Sequence, residues 1–178
     1  MGLNWVEDIV SHLYRLRGYM VVENEDLLMP KTASRTVRGH SDIDIIAIKD
    51  NELIHIECQS WWVPSKADEQ RQFQRLKDRF KYAPKLIFEK YSFLDKDKIT
   101  VKNIFVTSGK PEKSKENGPW DRLQEFCNKN GIELVEINKV IEDLISELKK
   151  RYSSYQVGKE RGIARFLIHL IQNDFLKL

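Results

Sequence analysis

Residues Asp42–Gln59 read DIDIIAIKDNELIHIECQ. Two short Ile-rich runs flank Asp50-Asn51, a pair that favours a tight turn. The β-branched content and the length of each run predict two strands, Asp42–Lys49 and Glu52–Gln59, joined as a hairpin. Side chains alternate faces along a strand. Asp42, Asp44 and Ile46 are therefore expected on one face of the first strand, and Ile43, Ile45 and Ala47 on the other. On the second strand Glu57 and Gln59 share a face, opposite Ile54, Ile56 and Cys58. A two-residue turn makes Asp44 and Glu57 near neighbours across the pair. Two carboxylates crowded at a strand end repel unless a cation lies between them. Hard divalent ions take one or two carboxylates, completed by water and phosphate oxygens. Such an ion can activate water and offset the charge that grows on a phosphodiester. Asp is depleted in strands, and a Glu after an apolar run needs a partner if buried. The competing reading of Asp44 and Glu57 is a strand-end salt bridge. Asp42 reads either as a third acid or as a solvated strand start.

Upstream, Val6, Ile9, Val10, Leu13 and Leu16 recur at three- and four-residue steps, which predicts an amphipathic helix ended by Gly18. Glu7 has two readings there. It can close a capping box with Asn4, or it can present an acid to the hairpin. Tyr19–Val22 reads as a short strand, and 29–41 as a loop with Pro, Gly, Ser, Thr and several cations. Downstream, Trp61, Trp62 and Pro64 end the hairpin; the Trp pair suits a core or a subunit contact, or stacking on bases. Helix is expected over 66–82, a strand over Val101–Thr107, a loop over 108–119 and helix over Trp120–Asn130 up to Gly131. A strand over Ile132–Ile137 and helices over 139–151 and 156–176 complete the chain. The order α-β-β-β-α-β-α-β-α-α implies a mixed sheet covered by helices.

The chain has 178 residues, enough for one domain with a real core. Hydrophobic residues form 41% and charged residues 32%, which excludes a disordered composition. Cys58 and Cys127 belong to no CxxC or Cys/His group, so a structural zinc site has no ligands. No apolar run nears the ~18 residues that span a membrane. A soluble, cytoplasmic protein without a membrane partner is expected. The net charge of +3 is only mildly basic, so the distribution of cations matters more than their number.

Asp44 and the Glu57-Cys58-Gln59 strand end, on a hairpin after a helix that carries Glu7, resemble the pattern of the PD-(D/E)xK nucleases. The stretches GHSDIDIIAI and LIHIECQS are most similar to archaeal Holliday-junction resolvases and Mrr-like restriction endonucleases. The resemblance spans residues 1–82; the later β-α-β part follows by element order. It implies an α/β, restriction-endonuclease-like mixed sheet flanked by helices, with a C-terminal helical extension. A nuclease core over 1–138 is expected, with 139–178 packing on it or forming a dimer contact. It further implies hydrolysis of DNA phosphodiesters with Mg2+ or Mn2+ by a homodimer acting on duplex or branched DNA. Carried over by position, Asp44 and Glu57 ligate the metal, the Cys58 carbonyl is a third ligand and Glu7 is the supporting acid. Gln59 stands where the family has Lys. A neutral amide can hold a water but brings no positive charge. The alternatives are a surrogate cation from Lys66, a DNA-binding module whose cleavage is lost, or an RNA-directed nuclease.

Cations cluster around this segment. Lys31, Arg35, Arg38 and His40 precede Asp42, either as an exposed loop or as phosphate contacts. Arg71, Arg75 and Arg79 recur every four residues on one face of the second helix, where like charges repel unless an anion binds. His12 and His55 read as packing residues. Ile163, Phe166, Leu167, Leu170 and Ile171 form an apolar stripe, core or dimer face.

Overall fold

A computed structural model of the chain describes residues 5–31, 38–59, 66–108, 116–151 and 162–172. The elements are α1 (Trp5–Leu16), β1 (Met20–Met29), β2 (Gly39–Lys49), β3 (Glu52–Gln59), α2 (Lys66–Lys90), β4 (Thr100–Thr107), α3 (Pro119–Lys129), β5 (Ile132–Glu136), α4 (Ile137–Arg151) and α5 (Gly162–Gln172). This is the expected order. The strands form one sheet in the order β1-β2-β3-β4-β5. β1, β2 and β3 are antiparallel, and β3, β4 and β5 are parallel. The architecture is α/β with a mixed five-stranded sheet flanked by helices.

The β2–β3 turn is the two-residue one, with Lys49 opposite Glu52. Asp50 takes φ 50°, a left-handed conformation that Asp tolerates better than most side chains. Ile45 and Ala47 on β2, Ile54 and Ile56 on β3, and Ile104 and Val106 on β4 face one layer, α1 with α4 and α5. The α1 stripe Val6, Ile9, Val10, Leu13 and Leu16 is buried there. The other face carries Ile46, Leu53 and Phe105 beneath α2 and α3. A bidentate ion pair from Arg122 of α3 to Glu69 of α2, at 2.7 and 2.8 Å, ties these two helices together.

Several boundaries differ from the sequence reading, and β2 already starts at Gly39, within the stretch expected to be a loop, rather than at Asp42. β1 runs to Met29 rather than stopping at Val22, because its polar middle is held by pairing with β2 along the register Met20–Ile48 to Met29–Gly39. α2 continues past 82 to Lys90 although Pro84 lies inside it. Pro removes one helical hydrogen bond, but Ala83 and Ile87 are fully buried against the sheet and hold the helix on course. Ile137 opens α4 instead of closing β5. At α3 the chain turns as expected, with Gly131 at φ 65°.

α4 and α5 share the α1-side core: Leu144, Leu148 and Ile168 are buried in it. The stripe on α5 is therefore mostly core, with Leu167 buried and Ile171 packed alongside; Phe166 instead points outward at 58% exposure. Among the described residues no helix is long and apolar enough to cross a membrane. Arg35, the Trp61-Trp62 pair and the side chain of Lys66 lie outside what is described.

Candidate active site

The sheet loosens at Asp44. Pairing between β2 and β3 ends at Ile45–Ile56, one step short of Asp44 and Glu57. On the other side, the ladder between β1 and β2 skips Asn24 and Asp44, and Asn24 takes φ 52°. This interruption corrects the simple alternation expected of β2. Ile43 packs with Ile46 on the α2 side, while Ile45 and Ala47 face α1. Released from the ladder, Asp44 places its carboxylate on the next strand: Asp44 Oδ2 accepts the Cys58 backbone N–H at 2.6 Å. β3 meanwhile continues beside β4 to the Gln59–Thr107 pair. Glu57, Cys58 and Gln59 thus form a strand end paired on one side only. N–H and C=O of one strand residue point to the same neighbour, so the Cys58 carbonyl is directed toward the edge that Asp44 occupies.

Glu57 is 2% exposed and both of its oxygens are engaged. Oε1 faces His55 Nε2 at 2.9 Å. A carboxylate only accepts, so Nε2 carries the hydrogen and donates. His55 Nδ1 is buried without a hydrogen-bond partner, and the ring lies 4.8 Å from that of Phe80. Oε2 accepts from Arg79 Nη1. The same guanidinium, through Nη2, reaches Ser41 Oγ at 3.1 Å and the Asp42 carbonyl at 2.8 Å.

These neighbours set the charge balance. Burial pushes the Asp44 carboxyl up to about 7, and the Glu57 charge pushes in the same direction. The Cys58 N–H and Arg79 oppose the rise, while Glu7 adds to it. The Cys58 thiol is raised well above its ordinary value by burial, then by Asp44, Glu7 and Glu57. Glu7 on α1 therefore acts on the same site through its field.

A cleft of about 680 Å³ opens here. Asp44, Glu57, Cys58 and Gln59 line it from the sheet, and Arg71, Arg75 and Arg79 line it from α2. The four-residue spacing of the arginines does put them on one wall. Seven residues singled out from sequence thus meet in one cavity. Lys31 and Arg38 are exposed and do not line it. Arg38 lies six positions from Asp44, roughly 20 Å along an extended strand at ~3.3 Å per residue.

Among the described residues, no group of three or more His, Cys, Asp or Glu side chains is arranged to hold a metal ion. Asp44, Glu57 and Cys58 line one cleft, and their two carboxylates and one backbone carbonyl are hard oxygens of the kind Mg2+ and Mn2+ accept. Burial first and the Glu57 charge second disfavour the charged form of Asp44. The residues fit a hard dication, with Arg79 competing for Glu57.

Two contacts escaped the sequence reading. His55, expected only to pack, holds Glu57; positions i and i+2 on a strand share a face, which was the available signal. Arg79 was legible as one of three stripe cations, but its partner was not.

No protein-family model and no curated protein matches the chain. Among solved structures, it is similar to a protein of unknown function, AF1548, at 15% identity and TM-score 0.44, over 96% of this chain and 98% of that one. It is also similar to the small subunit of the heterodimeric restriction endonuclease R.BspD6I, at 14% identity and TM-score 0.39, over 97% and 90% of the two chains. At these scores neither likeness bears on function.

Proposed function

We propose that this protein is a metal-dependent endonuclease that hydrolyses DNA phosphodiesters, with Mg2+ or Mn2+ at Asp44, Glu57 and the Cys58 carbonyl. The supporting observation is the forced proximity of the Asp44 and Glu57 carboxylates at the point where β2 leaves β3, facing a wall of arginines. When bound, the ion supplies charge neutralisation at the phosphate and a more acidic water. Asp44 and Glu57 orient that centre, and His55 fixes the rotation of the Glu57 carboxylate. Glu7 deepens the negative field without entering the cleft lining. Gln59 holds the attacking water by hydrogen bonds and adds no charge, so turnover is slow. Arg71 and Arg75 grip phosphates beside the scissile bond, whereas Lys31, Arg35 and Arg38 contact the backbone farther along the duplex or branched DNA. A homodimer, with one site for each strand, follows from the resemblance to PD-(D/E)xK nucleases.

One observation favours a second reading, a DNA-binding module on the same fold. The position of the usual Lys is neutral Gln59, and the cation beside Glu57 is already bonded to it. Cleavage of linear, supercoiled, single-stranded and four-way DNA, with Mg2+, Mn2+ or chelator, separates the two. Wild type is expected to cut only with metal. Asp44→Ala and Glu57→Ala should lose cleavage and keep most of the DNA affinity that wild type shows with chelator. Full activity in either variant rejects the metal assignment, and tight binding with no cleavage by wild type selects the binding module.

A further inference from the structure

We infer, on the nuclease reading above, that Arg79 is a movable stand-in for the metal: it holds Glu57 until a DNA phosphate draws it away, so that metal and DNA bind cooperatively.

The geometry behind this is specific to Glu57. One oxygen is bonded to the fully buried His55, and the other, Oε2, is the one that a cation on the cleft wall, Arg79, reaches. Arg79 covers that oxygen, and the carboxylate is left 2% exposed. A dication and a guanidinium crowded on one oxygen repel each other, and with Arg79 in place that oxygen is covered from the cleft. Metal entry therefore requires Arg79 to leave.

Arg79 has somewhere to go. Its side chain is 15% exposed, so it is anchored at the cleft wall rather than enclosed. Arg75 and Arg71 follow at successive turns of α2 and line the same cleft. A phosphodiester drawn in by these cations offers two oxygens to the guanidinium fork, a match for its planar donors. Moving Arg79 from Glu57 to phosphate breaks one charged pair, with the bonds to Ser41 Oγ and the Asp42 carbonyl, and forms another charged pair with a bidentate fork. It also uncovers Glu57 for the metal that same phosphate would share. Without DNA, the metal sees only the fraction of molecules in which Arg79 is already displaced, and its apparent affinity falls by that fraction. By linkage, metal must tighten DNA by the same factor.

The test is Mn2+ binding, read from the electron paramagnetic resonance signal of the free ion in the cold. It is run without DNA, with a short DNA duplex, and with the same duplex carrying uncharged methylphosphonate linkages. Wild type is expected to bind Mn2+ roughly tenfold or more tightly with the duplex, and no more tightly with the methylphosphonate. Arg79→Gln is expected to bind Mn2+ roughly tenfold more tightly than wild type without DNA, with little further gain from the duplex. Arg79→Lys keeps the charge on Glu57 but lacks the fork. It is expected to fall between the two and retain part of the coupling, which serves if the Gln variant does not fold. Equal Mn2+ affinity of wild type with and without duplex overturns the inference while leaving the nuclease reading intact. So does an Arg79→Gln protein, folded by circular dichroism, that binds Mn2+ no better than wild type. Absence of Mn2+ binding in every protein, with and without duplex, overturns the nuclease reading and this coupling with it.

Discussion

Replacing Asp44 with Asn should stabilise the metal-free protein, increasingly so as pH rises from about 4 to about 7. In the folded chain the Asp44 carboxyl titrates at about 7, against an ordinary value of 3.8, because it is buried and faces Glu57. The folded state therefore holds a proton that the unfolded chain releases between these two values. Stability contributed by this group is present below the lower value and falls as pH rises through the window, with the loss complete above about 7. At ~1.4 kcal/mol per pH unit, the difference is worth at most ~4 kcal/mol. Partial exposure and relaxation of the cleft reduce it, so ~2–4 kcal/mol is expected. Asn keeps an oxygen to accept the Cys58 N–H at the position of Asp44 Oδ2 and removes the charge. Urea unfolding with chelator present, at pH 5 and pH 8, measures both proteins against the same remaining titrations. The variants should differ by ~1 kcal/mol at pH 5 and by ~2–4 kcal/mol at pH 8, with Asn the more stable at both. Adding Mn2+ at pH 8 should then raise the midpoint of wild type more than that of Asp44→Asn. An identical pH dependence for the two proteins refutes the claim that Asp44 is held under electrostatic stress.

Gln59→Lys should increase the single-turnover cleavage rate, since each ~1.4 kcal/mol of added transition-state stabilisation is tenfold; no change on either junction or duplex DNA places the water elsewhere. Arg71→Ala and Arg75→Ala should weaken binding of all sequences alike and flatten the log-log salt dependence by about one for each lost contact. Unchanged slopes in both, measured by fluorescence anisotropy, put the DNA on another face. Arg122→Ala should lower the midpoint in the same urea assay, because Glu69 is nearly buried and loses its bidentate partner. An unaffected midpoint there would mean that α2 is positioned by its apolar contacts alone.

Much of this architecture is local in origin and was legible in the amino acids. Asp50-Asn51 between two Ile-rich runs specifies the hairpin, because turn chemistry and strand alternation act over a few residues. The α1 stripe and the four-residue spacing of Arg71, Arg75 and Arg79 are helical periodicities, and each describes one face of one element. Asp44 and Glu57 were legible as a pair because a two-residue turn leaves little choice of register. The tertiary structure decided what those faces meet. It extended β1 through a polar stretch by pairing it with β2, and it carried α2 past Pro84 by burying Ile87. It interrupted the sheet on both sides of Asp44, which turned Ile43 toward α2 and left the carboxylate to bond across to Cys58. It also set Arg79 on Glu57, 22 residues away in sequence. No periodicity encodes such a contact: which of three equivalent cations reaches the buried acid depends on where α2 crosses the sheet, and that crossing is settled by the packing of Phe80, Ala83 and Ile87 beneath it.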